Sequence, residues 1–109
     1  MPDYRKFKVS VNGRPEFAAF LSNIRDQELK RRIEEVLDIL KERPDAGDLV
    51  RQALWPEEYK KLELDNLFRI EVGRSQRMTY SLRIEGEKAD VLIIEFFSTH
   101  KEYERRFHY

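Results

Sequence analysis

Tyr4, Lys6 and Lys8 alternate with Arg5, Phe7 and Val9, a period of two that predicts a first strand, and Asn12-Gly13 predicts the turn that follows it. The period then changes. Pro15 suits the first turn of a helix, along which Phe17, Phe20, Leu21 and Ile24 fall on one face. A second helix is expected from the N-cap Asp26, with Leu29, Ile33, Val36, Leu37 and Leu40 in one apolar stripe and Pro44 and Gly47 ending it. Between Asp48 and Asp65 the pattern is mixed: Leu49, Val50, Ala53 and Leu54 fit a helical face, Trp55-Pro56 interrupts it, and Pro56 can restart a helix carrying Tyr59 and Leu62. Two short helices or an irregular segment both satisfy it.

From Leu67 the period is two again. Phe68, Ile70 and Val72 oppose Arg69 and Glu71, and after Gly73 to Ser75 the residues Met78, Tyr80, Leu82 and Ile84 alternate with Arg77, Thr79, Ser81 and Arg83, which predicts a hairpin. Past Glu85-Gly86-Glu87, Val91 to Phe97 is apolar except at Glu95, as a central strand covered on both faces would be. A charged and aromatic tail runs from His100 to Tyr109. The expected fold is α+β, with two or three helices on one face of a small antiparallel sheet in the order β-α-α-(α)-β-β-β.

The 109 residues suffice for one domain, expected to span 1–109. Charged residues make up 39% of the chain, which excludes a membrane-embedded protein. There is no cysteine, so disulfides, thiolate metal sites and cysteine nucleophiles drop out together. Met1 to Ser10 lacks the unbroken apolar stretch of a signal peptide, so the expected location is the cytoplasm. Lysine plus arginine equals aspartate plus glutamate, at 21 each, so overall charge argues for no partner. Distribution does differ: Asp26 to Glu58 holds six basic and ten acidic residues, whereas Asn66 to Ile84 holds four arginines against the single Glu71.

No phosphate-cradling glycine loop or nucleophile elbow is present, and His100 and His108 are too far apart to be helical metal ligands, so neither metal nor cofactor is expected. Two constellations remain. Arg69 and Arg77 project from the polar face of the hairpin, where two guanidiniums can hold a phosphate or stabilise charge on a phosphorane-like transition state. The competing reading makes them surface residues paired with Glu71 and Glu95. The tail gathers His100, Lys101, Tyr103, Arg105, Arg106, His108 and Tyr109, which together supply proton-transfer groups, cations and stacking rings suited to RNA. The plainer alternative is a last helical turn with Tyr103 and Phe107 packed at i, i+4.

Four stretches in order, Leu54-Trp-Pro-Glu-Glu-Tyr-Lys-Lys61, Leu64-Asp-Asn-Leu-Phe-Arg-Ile70, Gln76-Arg-Met-Thr-Tyr-Ser81 and His100-Lys-Glu-Tyr-Glu-Arg-Arg-Phe107, resemble the RelE/ParE toxin superfamily. The resemblance implies a toxin of a type II toxin-antitoxin system: a metal-independent, ribosome-dependent messenger-RNA endoribonuclease that inhibits translation. Its implied partners are a cognate antitoxin, the ribosome and messenger RNA, with no membrane. In the RelE pattern an arginine just before the apolar-x-Tyr of the middle strand stabilises the phosphate, and Arg77 matches it. Arg69 stands where a lysine often acts; it keeps the cation but cannot serve as a base. Glu71 replaces a second lysine. The acid or base implied is Tyr103 with His100, or His108 with Tyr109 as second choice, while Lys101, Arg105, Arg106 and Arg83 are expected to bind RNA phosphates. The alternative is a non-catalytic member of the fold, either a ParE-like topoisomerase inhibitor or an inactive regulatory or interaction protein. Glu71 and the neutral overall charge lean that way.

Overall fold

The computed structural model describes residues 3–107. A single 3-10 turn at Tyr4–Lys6 precedes strand β1 (Lys8–Gly13), so the first strand starts later than the alternation predicted and Asn12-Gly13 belongs to it rather than to a turn. The chain leaves the sheet at Arg14, where Pro15 begins α1 (Pro15–Asn23). Helix α2 (Gln27–Glu42) follows, and its cap is the expected one: Asp26 Oδ1 accepts the Leu29 N–H at 3.1 Å. Its buried residues, Ile33, Val36 and Leu40, come from the apolar stripe.

The segment of mixed pattern resolves into three short pieces. Asp48–Leu49 form a two-residue strand, β2, then a 3-10 turn spans Gln52–Leu54, and α3 covers Glu57–Lys60 behind Pro56. Strands β3 (Phe68–Glu71), β4 (Arg77–Glu85) and β5 (Lys88–Phe97) follow as a meander. The turn from β4 to β5 has two residues, and Gly86 takes the left-handed φ of 59° that such a turn requires. Helix α4 (His100–Phe107) closes the described chain.

The α+β class holds, with four helices and one five-stranded sheet among the described residues, in the order β1-β5-β4-β3-β2. Two finer expectations do not. The sheet is mixed, because β1 pairs parallel to β5, with Lys8 opposite Lys88 and Gly13 opposite Ile93. No tight turn joins these two strands, so nothing local forces an antiparallel register. The helices also lie on both faces. Helices α1 and α2 cover a mostly aliphatic core of Ile33, Val36, Leu40, Met78, Leu82, Val91 and Ile93, together with Phe17 and Tyr80. On the other face α3 and α4 enclose Val50, Trp55, Tyr59, Leu67, Ile94, Phe97, Tyr103 and Phe107.

A bulge makes the second cluster possible. Tyr80 pairs with Ile93 but Thr79 pairs with Glu95, which leaves Ile94 as an extra residue on β5. Ile94 and Glu95 therefore both turn to the second face, and Phe96 returns to the first. The apolar run of β5 is the sequence counterpart of this two-sided burial, since Ile93 and Ile94 are both sealed from solvent.

Candidate functional site

The polar side of the hairpin carries its arginines as alternation requires. Arg69 lies opposite Thr79, and Thr79 opposite Glu95, while Glu71 lies opposite Arg77 and Arg77 opposite Phe97. Two cross-strand rows thus meet on the face away from α1 and α2. Helix α4 crosses this face. Thr99 Oγ1 accepts the Glu102 N–H at 3.1 Å, and the Glu102 carboxylate accepts the Ser98 N–H at 3.0 Å, a reciprocal cap that fixes where the helix starts. Tyr103 and Phe107 then face inward and stack at 4.3 Å between ring centroids, with Phe97 set edge-on to Tyr103 at 5.5 Å.

Tyr103 is where helix and arginines meet. The Arg77 Cζ stands 5.1 Å from the centre of its ring and the Arg69 Cζ 5.7 Å. A guanidinium over a tyrosine ring gains about 0.5–2 kcal/mol depending on exposure, so the ring serves as a platform for two cations. Their partners are not those expected of plain surface residues. Arg69 lies 3.7 Å from Asp48 on β2, and Glu95 is bound by Arg106 at 3.0 Å. Arg77 forms no ion pair among the described residues, and its buried Nε has no hydrogen-bond partner. Its charge is left available to a ligand.

Beneath this platform Tyr59, from α3, shares a hydrogen bond of 2.8 Å with the Thr79 hydroxyl. Burial, with a further push from the Glu95 carboxylate, holds the Tyr59 phenol far above its ordinary value, so it remains neutral. Arg106 reaches Glu58 at 3.4 Å as well as Glu95, and so ties α4 to both α3 and β5. A cleft of about 380 Å³ opens beside these charges, lined by Glu58, Glu95, Phe97, Glu102, Arg105 and Arg106.

The residues named from the sequence thus divide. Arg69, Arg77 and Tyr103 come together, but Tyr103 is buried, hydroxyl included. His100 lies exposed on the first turn of α4, with Nε2 2.6 Å from Glu104 Oε1. Lys101 and Arg105 are exposed on the same helix. Arg106 is occupied by two carboxylates. Arg83 lies six residues along β4 from Arg77, about 20 Å away, and pairs with Asp65 at 3.3 Å, so it belongs to a different region. His108 and Tyr109 lie outside the described residues. No group of three or more potential metal ligands comes together among the described residues, and no described helix is long and apolar enough to cross a membrane.

Sequence reasoning missed the layer under the site. Thr79 is buried in mid-strand with its hydroxyl bonded to Tyr59, and the lone acidic residue in an apolar strand, Glu95, has the dedicated partner Arg106. Glu95 was visible as the exception in its strand, whereas Thr79 fits the alternation of β4 and gave no signal. No family model, no curated protein and no solved structure matches this chain.

Proposed function

We propose that the chain is a RelE-like toxin of a type II toxin-antitoxin system, a metal-independent endoribonuclease that cuts messenger RNA on the ribosome in the cytoplasm and is held in check by a cognate antitoxin. The observation that carries this reading is the pair of half-buried guanidiniums, Arg69 and Arg77, gathered on one ring where α4 crosses the polar face of the hairpin. Two arginines so placed match the demand of phosphodiester cleavage. The 2′-hydroxyl of one nucleotide attacks the adjacent phosphorus, its proton passes to a base, and the 5′-oxygen leaves with a proton, giving a cyclic phosphate and a free 5′-hydroxyl. Arg77 and Arg69 hold the non-bridging oxygens while negative charge builds on them.

In this scheme Tyr103 acts as the platform, since its hydroxyl is buried. Proton transfer falls to His100, whose Nε2 is held by Glu104 and whose other ring nitrogen can then face substrate. Primer extension on a messenger in a translating-ribosome system tests the reading. Wild type should produce breaks at the ribosomal A-site, and Arg77→Ala should reduce their rate about 10²- to 10³-fold, the usual consequence of removing one donor to the developing charge. Intact messenger with the wild-type protein would sink it.

The burial of Tyr103 together with Glu71 beside Arg77 favours a second reading, in which the same face binds a partner without cleaving anything. That reading expects intact messenger in the same assay and a topoisomerase or regulatory protein as the target.

A further inference from the structure

Arg32 comes from the acidic helix α2, yet it reaches the tip of the arginine-bearing hairpin. It lies three residues after Leu29 and four before Val36, both packed toward the sheet, so its stem runs along the same face of the helix. Its Nη1 ends 2.6 Å from the point where a Cβ on Gly73 would stand, so the glycine leaves room for the guanidinium. The Gln76 side chain crowds the same point. The turn is itself closed by Gln76, whose carbonyl accepts the Val72 N–H at 2.9 Å. Arg32 thus approaches the turn between β3 and β4 from one face of the sheet, while Arg77 begins β4 on the other.

Two guanidinium Nε atoms in the described structure are buried without a hydrogen-bond partner, and they belong to these two arginines. Arg32 feels the attraction of Glu28 one turn earlier but forms no ion pair with it. Arg74, at the exposed tip, forms none with any described residue. Counting Arg69 within β3, four arginines lie on or beside this hairpin, and the carboxylates near it among the described residues include Asp48, 3.7 Å from Arg69, and the exposed Glu71.

We infer that the hairpin tip is a second phosphate-binding subsite, in which Arg32 and Arg74 hold the phosphodiester next to the one held by Arg69 and Arg77. The inference rests on the proposed RNA-cleaving function and deepens it, because it assigns the path of the strand: from the reacting phosphate over the turn and toward α2. Guanidiniums suit this ligand, since their planar fork meets two phosphate oxygens at once. A neighbouring phosphate bound in this way would fix the register of the chain, so that a single linkage lies over Arg77.

The test uses the full-length protein and a fluorescent 2′-O-methyl RNA of about ten nucleotides, which binds but lacks the attacking hydroxyl. Affinity is measured by anisotropy across a salt series. Arg32→Gln should weaken binding about fivefold at low salt and flatten the slope of log K against log salt by about 0.7, the share of one phosphate contact on a single strand. Arg32→Lys should keep the slope, because the charge remains. Thermal melts accompany each variant; if Arg32→Gln fails to fold, Arg74→Gln at the exposed tip decides, with a slope flattened by about 0.7 supporting the subsite and an unchanged one overturning it. Arg77→Gln separates the two claims. Should it weaken binding while Arg32→Gln leaves affinity and slope unchanged, the subsite is wrong and the cleavage reading stands. If the wild-type protein binds no RNA at all, the subsite falls, while the cleavage reading is still decided by primer extension on the ribosome.

Discussion

The two faces of the sheet are built from different materials. Under α1 and α2 the core is mostly aliphatic, and its residues recur at helical or strand spacing. Under α3 and α4 it is mostly aromatic, assembled from segments far apart in sequence, and ringed by charge: Arg69, Arg77, Glu95 and Arg106 all border it. The first face holds the fold, and its one reach toward the ligand is Arg32, at the hairpin tip. The second stacks Tyr103 on Phe107 and places two guanidiniums over the ring, so packing and charge placement there are one construction. Stability and function are therefore separable by face.

Ile33→Ala on the first face and Tyr103→Leu on the second make the sharpest contrast. Ile33 is fully buried on α2, so its truncation should cost about 2–5 kcal/mol, read as a lower urea midpoint. Tyr103→Leu keeps an apolar side chain in place but removes two cation contacts worth about 0.5–2 kcal/mol each. RNA binding should fall much more than the midpoint does. A variant at Tyr103 that unfolds the protein while binding survives in the folded fraction would reverse the assignment of the faces.

Gly47 joins the faces and should come next in effect. A Cβ there would stand 2.7 Å from the Arg69 carbonyl and 2.9 Å from the Tyr80 hydroxyl, and the Gly47 N–H donates to that hydroxyl at 2.9 Å. The near atom is backbone and cannot swing away, so Gly47→Ala should cost about 1–3 kcal/mol and shift Arg69 with its strand. Gly73→Ala, by contrast, would meet only the ends of Arg32 and Gln76, and should change RNA binding more than stability.

Alkaline pH probes both faces with one chemistry. Burial is the main cause that holds the phenols of Tyr59, on the second face, and Tyr80, on the first, well above their ordinary value of 10.0. In the unfolded chain they ionise near that value. Their contribution is fully present below about pH 10 and is lost as pH rises further, because the unfolded chain then releases protons that the folded one keeps. The slope should be at most about 1.4 kcal/mol per pH unit for each tyrosine. Urea midpoints taken from about pH 8 to about pH 11 measure it, and Tyr59→Phe should roughly halve the slope. A slope unaffected by either Tyr59→Phe or Tyr80→Phe would place the alkaline loss elsewhere.

The first face was legible because its signals are local. The stripe from Leu29 to Leu40, the cap at Asp26 and the alternation through Met78 and Tyr80 each lie within one element, and the same alternation put Arg69 and Arg77 on the face where they stand. The second face depends on contacts no window contains. Two-residue β2 has no period to read, the parallel pairing of β1 with β5 spans most of the chain, and the bulge at Ile94 turns two successive residues to one side. Tyr103 carried a readable i, i+4 spacing to Phe107, but nothing in it told of the guanidiniums. Arg32 was hidden for the opposite reason: it is the last of three cations, Lys30-Arg31-Arg32, in a helix that also carries five acidic residues, and the hairpin it reaches is about forty residues away.

The smallest expected effect separates the two faces by their ion pairs. Arg31 joins Glu28 and Glu35 along the solvent side of α2, all within one helix, and its hydrogen bond to Glu28 holds that carboxyl below the usual range. Water screens these pairs and the helix keeps its cap without them, so Arg31→Ala should leave the urea midpoint unchanged. Arg106 makes the same kind of bond to different effect, because Glu58 and Glu95 belong to separate elements, so its ion pairs add to the aromatic packing of Tyr103 and Phe107 in holding α4 to α3 and β5. Arg106→Ala should cost about 1 kcal/mol, and it leaves Glu95 next to Tyr59 without its cation. The loss should appear first as faster hydrogen exchange in α4, ahead of any change in α2. Equal effects from Arg31→Ala and Arg106→Ala would mean that α4 is held by its aromatic residues alone, and the platform under Arg69 and Arg77 would then owe nothing to the charges around it.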